Sequence, residues 1–513
     1  MAGGGALAAS FALGYTVYTD ASLPSTERAP TPLSKLVTSY VVYSLCSIPG
    51  LVDASPTLLA FCTSIPGLRQ LTEAFVRATF FTQFVGGSTA LSCIPLIRQL
   101  RAENKGALFA YSVEADADDA ASGARSLREP VHKRIVQEMI RSINVAADFE
   151  DSRARADESS GRRTWVAIKL SALLPNPNTL LHLSAHLSSF HATDPVLFPG
   201  CPRADDLAVL KSNDLPSSSP LTAQDLADLG ELLVDLNRIC SRARERNVRL
   251  IVDAEYSWYQ PAIDSISLSL MREFNKDPPS SSRWFSHIIS RPARTVPPPL
   301  IYVTFQAYLR RTPEYLTQSL QDAISHHYAL GVKLVRGAYH EQEAQSDSPS
   351  LPLTAHVSWP PVFLNKADTD RCYDAAAGEL VRAVANSDGS GPRVGVLFGS
   401  HNAGSCAKVL DALVNAGLAT HEKDGTVKVD DVAAERVALA QLYGMSDTLT
   451  DSLAASVRTR APFVIKYVPY GALSEVMPYL SRRAIENKSV LGNGHAAVER
   501  KQAFDAIWRH FFG

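Results

Sequence analysis

The sequence predicts an α/β protein, a closed (β/α)8 TIM-like barrel preceded by an N-terminal helical arm, and three observations predict it. First, eight apolar, often β-branched runs occur at residues 108–113, 165–170, 248–252, 300–305, 332–335, 394–398, 437–442 and 463–468. Second, most gaps between them hold an amphipathic helical stretch, as at 221–246 and 369–385, and strands alternating with helices pair in parallel through right-handed crossovers. Third, there are eight such units, the number that closes a barrel.

Composition sets the frame for those elements. A chain of 513 residues, 46% hydrophobic and 20% charged, can bury a large core, and one large domain with an appendage follows. We divide it into an arm and linker, 1–105, and the barrel, 106–513. A net charge of −2 and no long Lys/Arg run give no general attraction to nucleic acid or an anionic membrane. The seven cysteines are scattered, odd in number and form no C-x-x-C pair, so a disulfide framework or zinc cage is not expected and a reducing compartment fits. His182 and His186 have helical i, i+4 spacing but lack the glutamate of a metalloprotease helix; no metal site is expected.

Taken in order, residues 1–19 are small or apolar, with no Lys or Arg before Arg28. They make a marginal membrane span, a poor signal peptide and a poor mitochondrial presequence. Residues 21–32 have linker composition. Residues 33–68 are apolar but interrupted by Pro49, Pro56 and Pro66, which predicts short packed helices, with a surface-lying membrane contact as the alternative. The first hundred residues are expected to supply no catalytic group. Within the barrel, 205–220, 278–299 and 345–361 are rich in Pro and Ser and read as surface loops.

The last strand leads through Pro-Tyr-Gly into a helix beginning near Ala472, on which Leu473, Val476, Met477, Leu480 and Ala484 form one apolar stripe. Pro478 is expected to kink or restart it. Tyr479, Arg483 and Glu486 share a neighbouring ridge, with Arg482 farther round. The adjacent arginines make either a fork for a carboxylate or a solvated polar face.

A barrel of this kind builds its site where strands end. The polar residues there are Glu114, Lys169, Asp253, Glu255, Gln306, Arg336, Tyr339, His401, Asn402, Gln441 and Tyr467. Each could instead simply meet solvent, but Lys169 and Asp253 follow strongly apolar strands, where an unpaired charge is costly. Lys169, Arg482 and Arg483 together with Tyr339, Tyr467 and Tyr479 suit a small acid with an apolar body. The stretch 333–339, KLVRGAY, with GSHN at 399–402, suits a flat polar cofactor. Neither a G-x-G-x-x-G after a strand nor a Walker sequence is present, so a Rossmann or nucleotide-hydrolysing site is not supported.

The runs DAEYSWYQPAI (253–263), KLVRGAYHEQE (333–343), QLYGMSD (441–447) and YVPYGALSEVMPYLSRRAIEN (467–487) resemble proline dehydrogenase of the eukaryotic, fungal mitochondrial type. The likeness spans roughly 81–491. It implies that Lys169, Arg482 and Arg483 hold the carboxylate of L-proline while Tyr467 and Tyr479 flank its ring and Leu442 forms an apolar wall. It implies FAD bound by Gln306, Lys333, Val335, Gly337, Ala338, Tyr339, Ser400 and His401, with Asp253 and Lys333 as catalytic groups. Glu486 is expected to orient the arginines. The implied reaction moves a hydride from proline C5 to flavin N5, giving 1-pyrroline-5-carboxylate, and passes the electrons to a membrane quinone. Mitochondrial localisation and peripheral association with the inner membrane on its matrix side come with the resemblance. A hydroxyproline dehydrogenase of the same fold, or an inert paralogue binding proline or FAD, are the rivals. Gly399-Ser400 stands where the family often has Ala-Thr, and Lys333 where it often has Arg.

Overall fold

Eight parallel strands close into a barrel in which each lies beside its neighbour in sequence. They are β1 (Lys105–Tyr111), β2 (Thr164–Ile168), β3 (Leu250–Val252), β4 (Ile301–Gln306), β5 (Leu330–Val335), β6 (Val394–Gly399), β7 (Val437–Leu442) and β8 (Val464–Tyr470). Closure pairs β1 with β8 from Lys105 opposite Val464 to Tyr111 opposite Tyr470. Every apolar run read from the sequence is one of these strands. The computed structural model describes residues 32–113, 130–155, 161–191, 195–211, 219–276, 298–345, 359–388, 391–489 and 495–512. Glu114, residues 1–19 and most of the 278–299 and 345–361 stretches lie outside them. In the third expected loop, Asp206–Lys211 forms a 3-10 turn instead, with the buried Asp206 carboxylate accepting from Ser265 Oγ at 2.6 Å.

Alternation along the strands makes two cores. Leu108, Ala110, Trp165, Ile251, Tyr302, Leu397 and Ile465 fill the barrel interior. Their strand neighbours, such as Phe109, Val166 and Val303, pack outward under the surrounding helices. The helices begin where local chemistry permits. Ala223–Arg246 starts at a capping box of Thr222 and Asp225, and Lys366–Ala385 starts where Asn365 accepts from the Asp368 N–H.

The arm comprises α1 (Leu33–Cys46), α2 (Pro49–Ser64) and α3 (Leu68–Val76). Among the described residues no single helix is long and apolar enough to cross a membrane; α1 and α2 reach that length and composition only together, bent by 92°. The arm packs on the helix that follows β8, Leu473–Ser489, burying Val42, Cys46, Val52 and Val76 against Leu473, Val476, Leu480 and Ala484. That helix runs through Pro478 without restarting. A mid-helix proline costs about 3 kcal/mol, and burying several aliphatic side chains at about 1.5–3 kcal/mol each outweighs it. A C-terminal helix, His495–Phe512, lies beside α1, with the Tyr40 and Phe504 ring centroids 6.0 Å apart.

Sequence reading did not anticipate a small sheet of Ala419–His421, Val427–Val429 and Val457–Arg458. Its antiparallel pair turns at Asp424-Gly425, with Gly425 at φ 81°. An Asp-Gly pair between β-branched residues is a hairpin signal that the chain does carry.

Candidate active site

At the C-terminal ends of the strands the barrel opens into a cavity of about 720 Å³. Asp253, Lys333, Lys169, Leu442, Tyr467, Tyr479, Arg482, Arg483, Gln306, Val335, Gly337, Ala338, Tyr339, Ser400 and His401 all line it. Its walls come from all eight strands or the loops just after them and from one face of the Leu473–Ser489 helix, with Lys366 and Val498 also lining it. Among the described residues, none that lines it precedes Leu108.

On that helix the apolar stripe faces the arm, which turns Tyr479, Arg482 and Arg483 toward the cavity. Arg483 is only 4% exposed; its guanidinium lies 5.0 Å from the Tyr479 ring centroid, and its Nη2 donates to Glu486. Glu486 therefore orients one arginine of the pair. Arg482 lies 5.1 Å from the Tyr339 ring. Burial pushes the Tyr479 phenol up to about 12, against the pull of Arg483, so it stays neutral at physiological pH. Its hydroxyl is buried with no hydrogen-bond partner among the described residues. An orphaned buried hydroxyl beside two guanidinium groups is a place where a polar ligand gains contacts.

A second cluster joins three strands. Asp253, just after β3, accepts from Lys333 Nζ on β5 at 2.5 Å and from Tyr467 Oη on β8 at 2.8 Å. Lys333 also sits 5.0 Å from the Tyr467 ring centroid. Burial, reinforced by the Asp253 carboxylate, raises the Tyr467 pKa well above the usual phenol value, so Tyr467 remains a hydrogen-bond donor.

The third wall suits a flat polar ring system. The Gln306 side-chain N–H groups donate to the Glu255 carbonyl and to Tyr308 Oη, both at 3.0 Å. The carbonyl can only accept, which fixes the amide orientation and leaves Oε1 buried without a partner among the described residues. Gly337 has φ 132°, and a Cβ there would come within 1.6 Å of the Tyr308 ring, so only glycine lets KLVRGAY turn here. Arg336 ties the wall together, donating to Asp370 at 2.7 Å, Ser400 Oγ at 2.9 Å and Ser405 Oγ at 2.8 Å. His401 is held by Ser446 Oγ, 3.0 Å from Nδ1, and by the Leu442 N–H, 3.3 Å from Nε2.

Not every strand-end residue joins the cavity. Glu255 turns away and accepts from the Ser171 N–H and hydroxyl; burial raises its pKa, with the Lys169 ammonium opposing the rise. Asn402 borders the cavity while its side chain caps the next helix, accepting from the Ser405 N–H. Gln441 borders it too, donating to the Ser400 carbonyl at 3.1 Å. The contacts of Thr304, whose Oγ1 donates to the Val252 carbonyl at 2.8 Å, of Lys466 and of Ser446 were not foreseen. Thr304 and Lys466 interrupt apolar strands without a motif, and Ser446 lies in a turn where only the preceding Gly444 signals an unusual backbone. Away from the cavity, His182 Nδ1 lies 3.0 Å from Asp225 and His186 Nδ1 lies 3.3 Å from Ser219 Oγ. All seven cysteines are free thiols.

Comparisons with known proteins bear on this site. A probable mitochondrial proline dehydrogenase of Schizosaccharomyces pombe is 27% identical over 505 residues, covering 94% of this chain and 89% of that protein. Hydroxyproline dehydrogenase of Rattus norvegicus is 28% identical over 483 residues, covering 94% of this chain and 92% of that one. The crystal structure of proline utilization A (PutA) from Bdellovibrio bacteriovorus inactivated by N-propargylglycine matches with a TM-score of 0.57 at 16% identity. The match covers 90% of this chain and 40% of that chain, and it is a likeness of fold. The sequence profile of the family described as proline dehydrogenase matches residues 97–496, which holds the whole barrel and every residue of the cavity named above, and the chain therefore belongs to the proline dehydrogenase family.

Proposed function

We propose that the protein is an FAD-dependent proline dehydrogenase that oxidises L-proline to 1-pyrroline-5-carboxylate and passes the electrons to a membrane quinone. The observation that carries this reading is the convergence of Lys169, Arg482 and Arg483 on the same cavity as the Asp253, Lys333 and Tyr467 cluster. Three cations suit one carboxylate, and the Tyr467 and Tyr479 rings suit the apolar body of a small imino acid. Gln306, Lys333, Val335, Gly337, Ala338, Tyr339, Ser400 and His401 would hold the FAD. The unpartnered Gln306 oxygen fits a ring N–H, and Gly337 fits close backbone approach. FAD, when bound, supplies the hydride acceptor.

The chain's own groups do the positioning. The arginines and Lys169 fix the substrate carboxylate, so the ring can take one orientation against Leu442 and the tyrosines. Asp253 keeps the Lys333 ammonium and the Tyr467 hydroxyl in place beside the reacting ring. The proline nitrogen must be neutral for hydride to leave, and the cation-rich wall favours that form over an ammonium. The Tyr467 ring at the cavity wall supports proline over 4-hydroxyproline, because it occupies space a C4 hydroxyl needs.

Two observations support the setting. The fungal relative is named mitochondrial, and we place this chain on the matrix side of the inner membrane. Exposed Leu58, Phe61, Leu71 and Phe75 on α2 and α3 support peripheral contact there. The test is the visible spectrum of the purified protein before and after anaerobic L-proline, with 4-hydroxyproline alongside. A yellow protein bleached faster by proline is expected; a colourless protein that FAD does not reconstitute would refute the reading.

A further inference from the structure

We propose that Lys466 is a positioning residue. By clamping the 442–447 loop it locks His401 in one tautomer at the cofactor side of the cavity. The inference rests on the FAD reading above for its functional consequence, but its geometry stands on the protein alone.

Lys466 sits on β8 beside Tyr467 and is 1% exposed. An ammonium has three donors and no acceptor, and all three are engaged by one short loop. Nζ donates to the Leu442 carbonyl at 3.2 Å and the Met445 carbonyl at 2.9 Å, and it pairs with Asp447 at 2.8 Å. Burying a cation this deeply is costly unless it is paired and fully bonded, so the loop is held as one unit. The arm grips the same loop from outside, where Tyr43 Oη and Gln83 Nε2 each donate to the Gly444 carbonyl at 2.7 Å. Within the clamp, Ser446 is kept in the left-handed region at φ 50°.

The loop returns two groups to His401. The Leu442 backbone N–H can only donate, so Nε2 must present its lone pair to it. Nδ1 must then carry the proton and donate to Ser446 Oγ. Both ring nitrogens are set by backbone and hydroxyl positions that Lys466 fixes, and His401 meets the cavity as a neutral, immobile ring. Without Lys466, the loop loses the tie to its first and fourth residues and its hold on the histidine with it.

The experiment uses the full chain labelled with 15N-histidine, with His401→Gln to assign the signal. Wild type is expected to show a protonated Nδ1 and an unprotonated Nε2, and Lys466→Met an averaged pair of ring signals. FAD affinity, read by fluorescence titration of the reconstituted protein, should weaken at least tenfold in Lys466→Met. A wild-type signal from a protonated Nε2 overturns the lock. Unchanged ring signals in a folded Lys466→Met overturn the role of the lysine. Should that variant not fold, Lys466→Gln carries the same readout, and failure of both to fold assigns Lys466 to folding alone and overturns the proposal. If no variant or wild type binds FAD while the ring signals change as expected, the cofactor reading fails and the positioning role stands.

Discussion

The arginine pair offers the sharpest test of how the cavity binds its substrate. Arg483 is buried, already oriented by Glu486, and stacked over Tyr479, so little side-chain freedom remains for a ligand to remove. Arg483→Ala removes one charge-assisted hydrogen bond, which contributes about 1.5–3 kcal/mol. At 1.4 kcal/mol per tenfold, that is a loss of about ten- to 150-fold in affinity. The interaction is made equally in the ground and transition states, because the carboxylate does not react. The loss should therefore appear in KM, with kcat changed little. Arg483→Lys keeps the charge but not the planar fork, and should fall between. Glu486→Gln keeps the fork and removes only its orienting partner, so its effect should be the smallest of the three. Steady-state kinetics with an artificial dye acceptor, supported by titration with an unreactive carboxylate analogue of proline, measures all of them. If Arg482→Ala and Arg483→Ala both kept wild-type KM, the carboxylate would have to bind elsewhere, and the orientation assigned to the substrate would fall with it.

Asp253→Asn keeps the shape of the side chain but removes the charge that faces Lys333; losing about 1.5–3 kcal/mol of charge-assisted bonding should lower kcat about tenfold or more. Wild-type kcat in stopped-flow reduction would remove Asp253 from the reacting centre. Tyr467→Ser should narrow the preference for L-proline over 4-hydroxyproline in kcat/KM, and an unchanged ratio would show that the ring does not set specificity. Glu499, on the C-terminal helix, faces Asp447, Lys466 and the Ser446 N–H; burial, with Asp447 adding to it, raises its pKa from 4.5 to about 7. Its contribution to stability is thus fully present below pH 4.5 and lost as pH rises through 7. Glu499→Gln, which cannot ionise, should gain thermal stability relative to wild type between pH 5 and pH 8, and a difference that stays flat across that range would contradict the assignment.

How much of this was legible in the sequence depends on the distance over which each feature is encoded. Barrel strands announce themselves locally, because an apolar run such as that ending in Gln306 must be buried on both faces. The cavity-lining residues were legible for a related reason. Once eight parallel strands are granted, every residue at a strand end is brought to one mouth, and Lys169, Asp253 and Tyr467 meet there although up to 298 positions separate them. Lys466 was not legible, since a lysine inside an apolar strand reads as an interruption until its three acceptors are seen. The hold of the arm on Gly444 was not legible either. Tyr43 and Gln83 lie 401 and 361 positions away from it, and neither sits in a motif. The 3-10 turn at Asp206–Lys211 was hidden by loop-like composition, because its stability comes from a buried carboxylate network rather than from propensity.

No described residue of the arm lines the cavity, yet the arm sets the geometry of two walls. The helix Leu473–Ser489 has two working faces: Leu473, Val476, Leu480 and Ala484 buried against the arm, and Tyr479, Arg482 and Arg483 toward the cavity. A rigid helix cannot shift one face without the other, so the packing of Val42, Cys46, Val52 and Val76 determines where the guanidinium groups stand. The second wall is the 442–447 loop, where Gly444 at φ 75° passes so close to the arm that a Cβ there would meet the Gln83 carbonyl at 1.9 Å. The arm therefore acts on one wall of the cavity through the arginines and on another through His401. An insertion or cavity in its core is transmitted as misplacement at both, and a displacement of about 1 Å at a reacting centre costs on the order of a hundredfold in rate. A segment whose described residues line no part of the cavity is for that reason as constrained in shape as the residues that do.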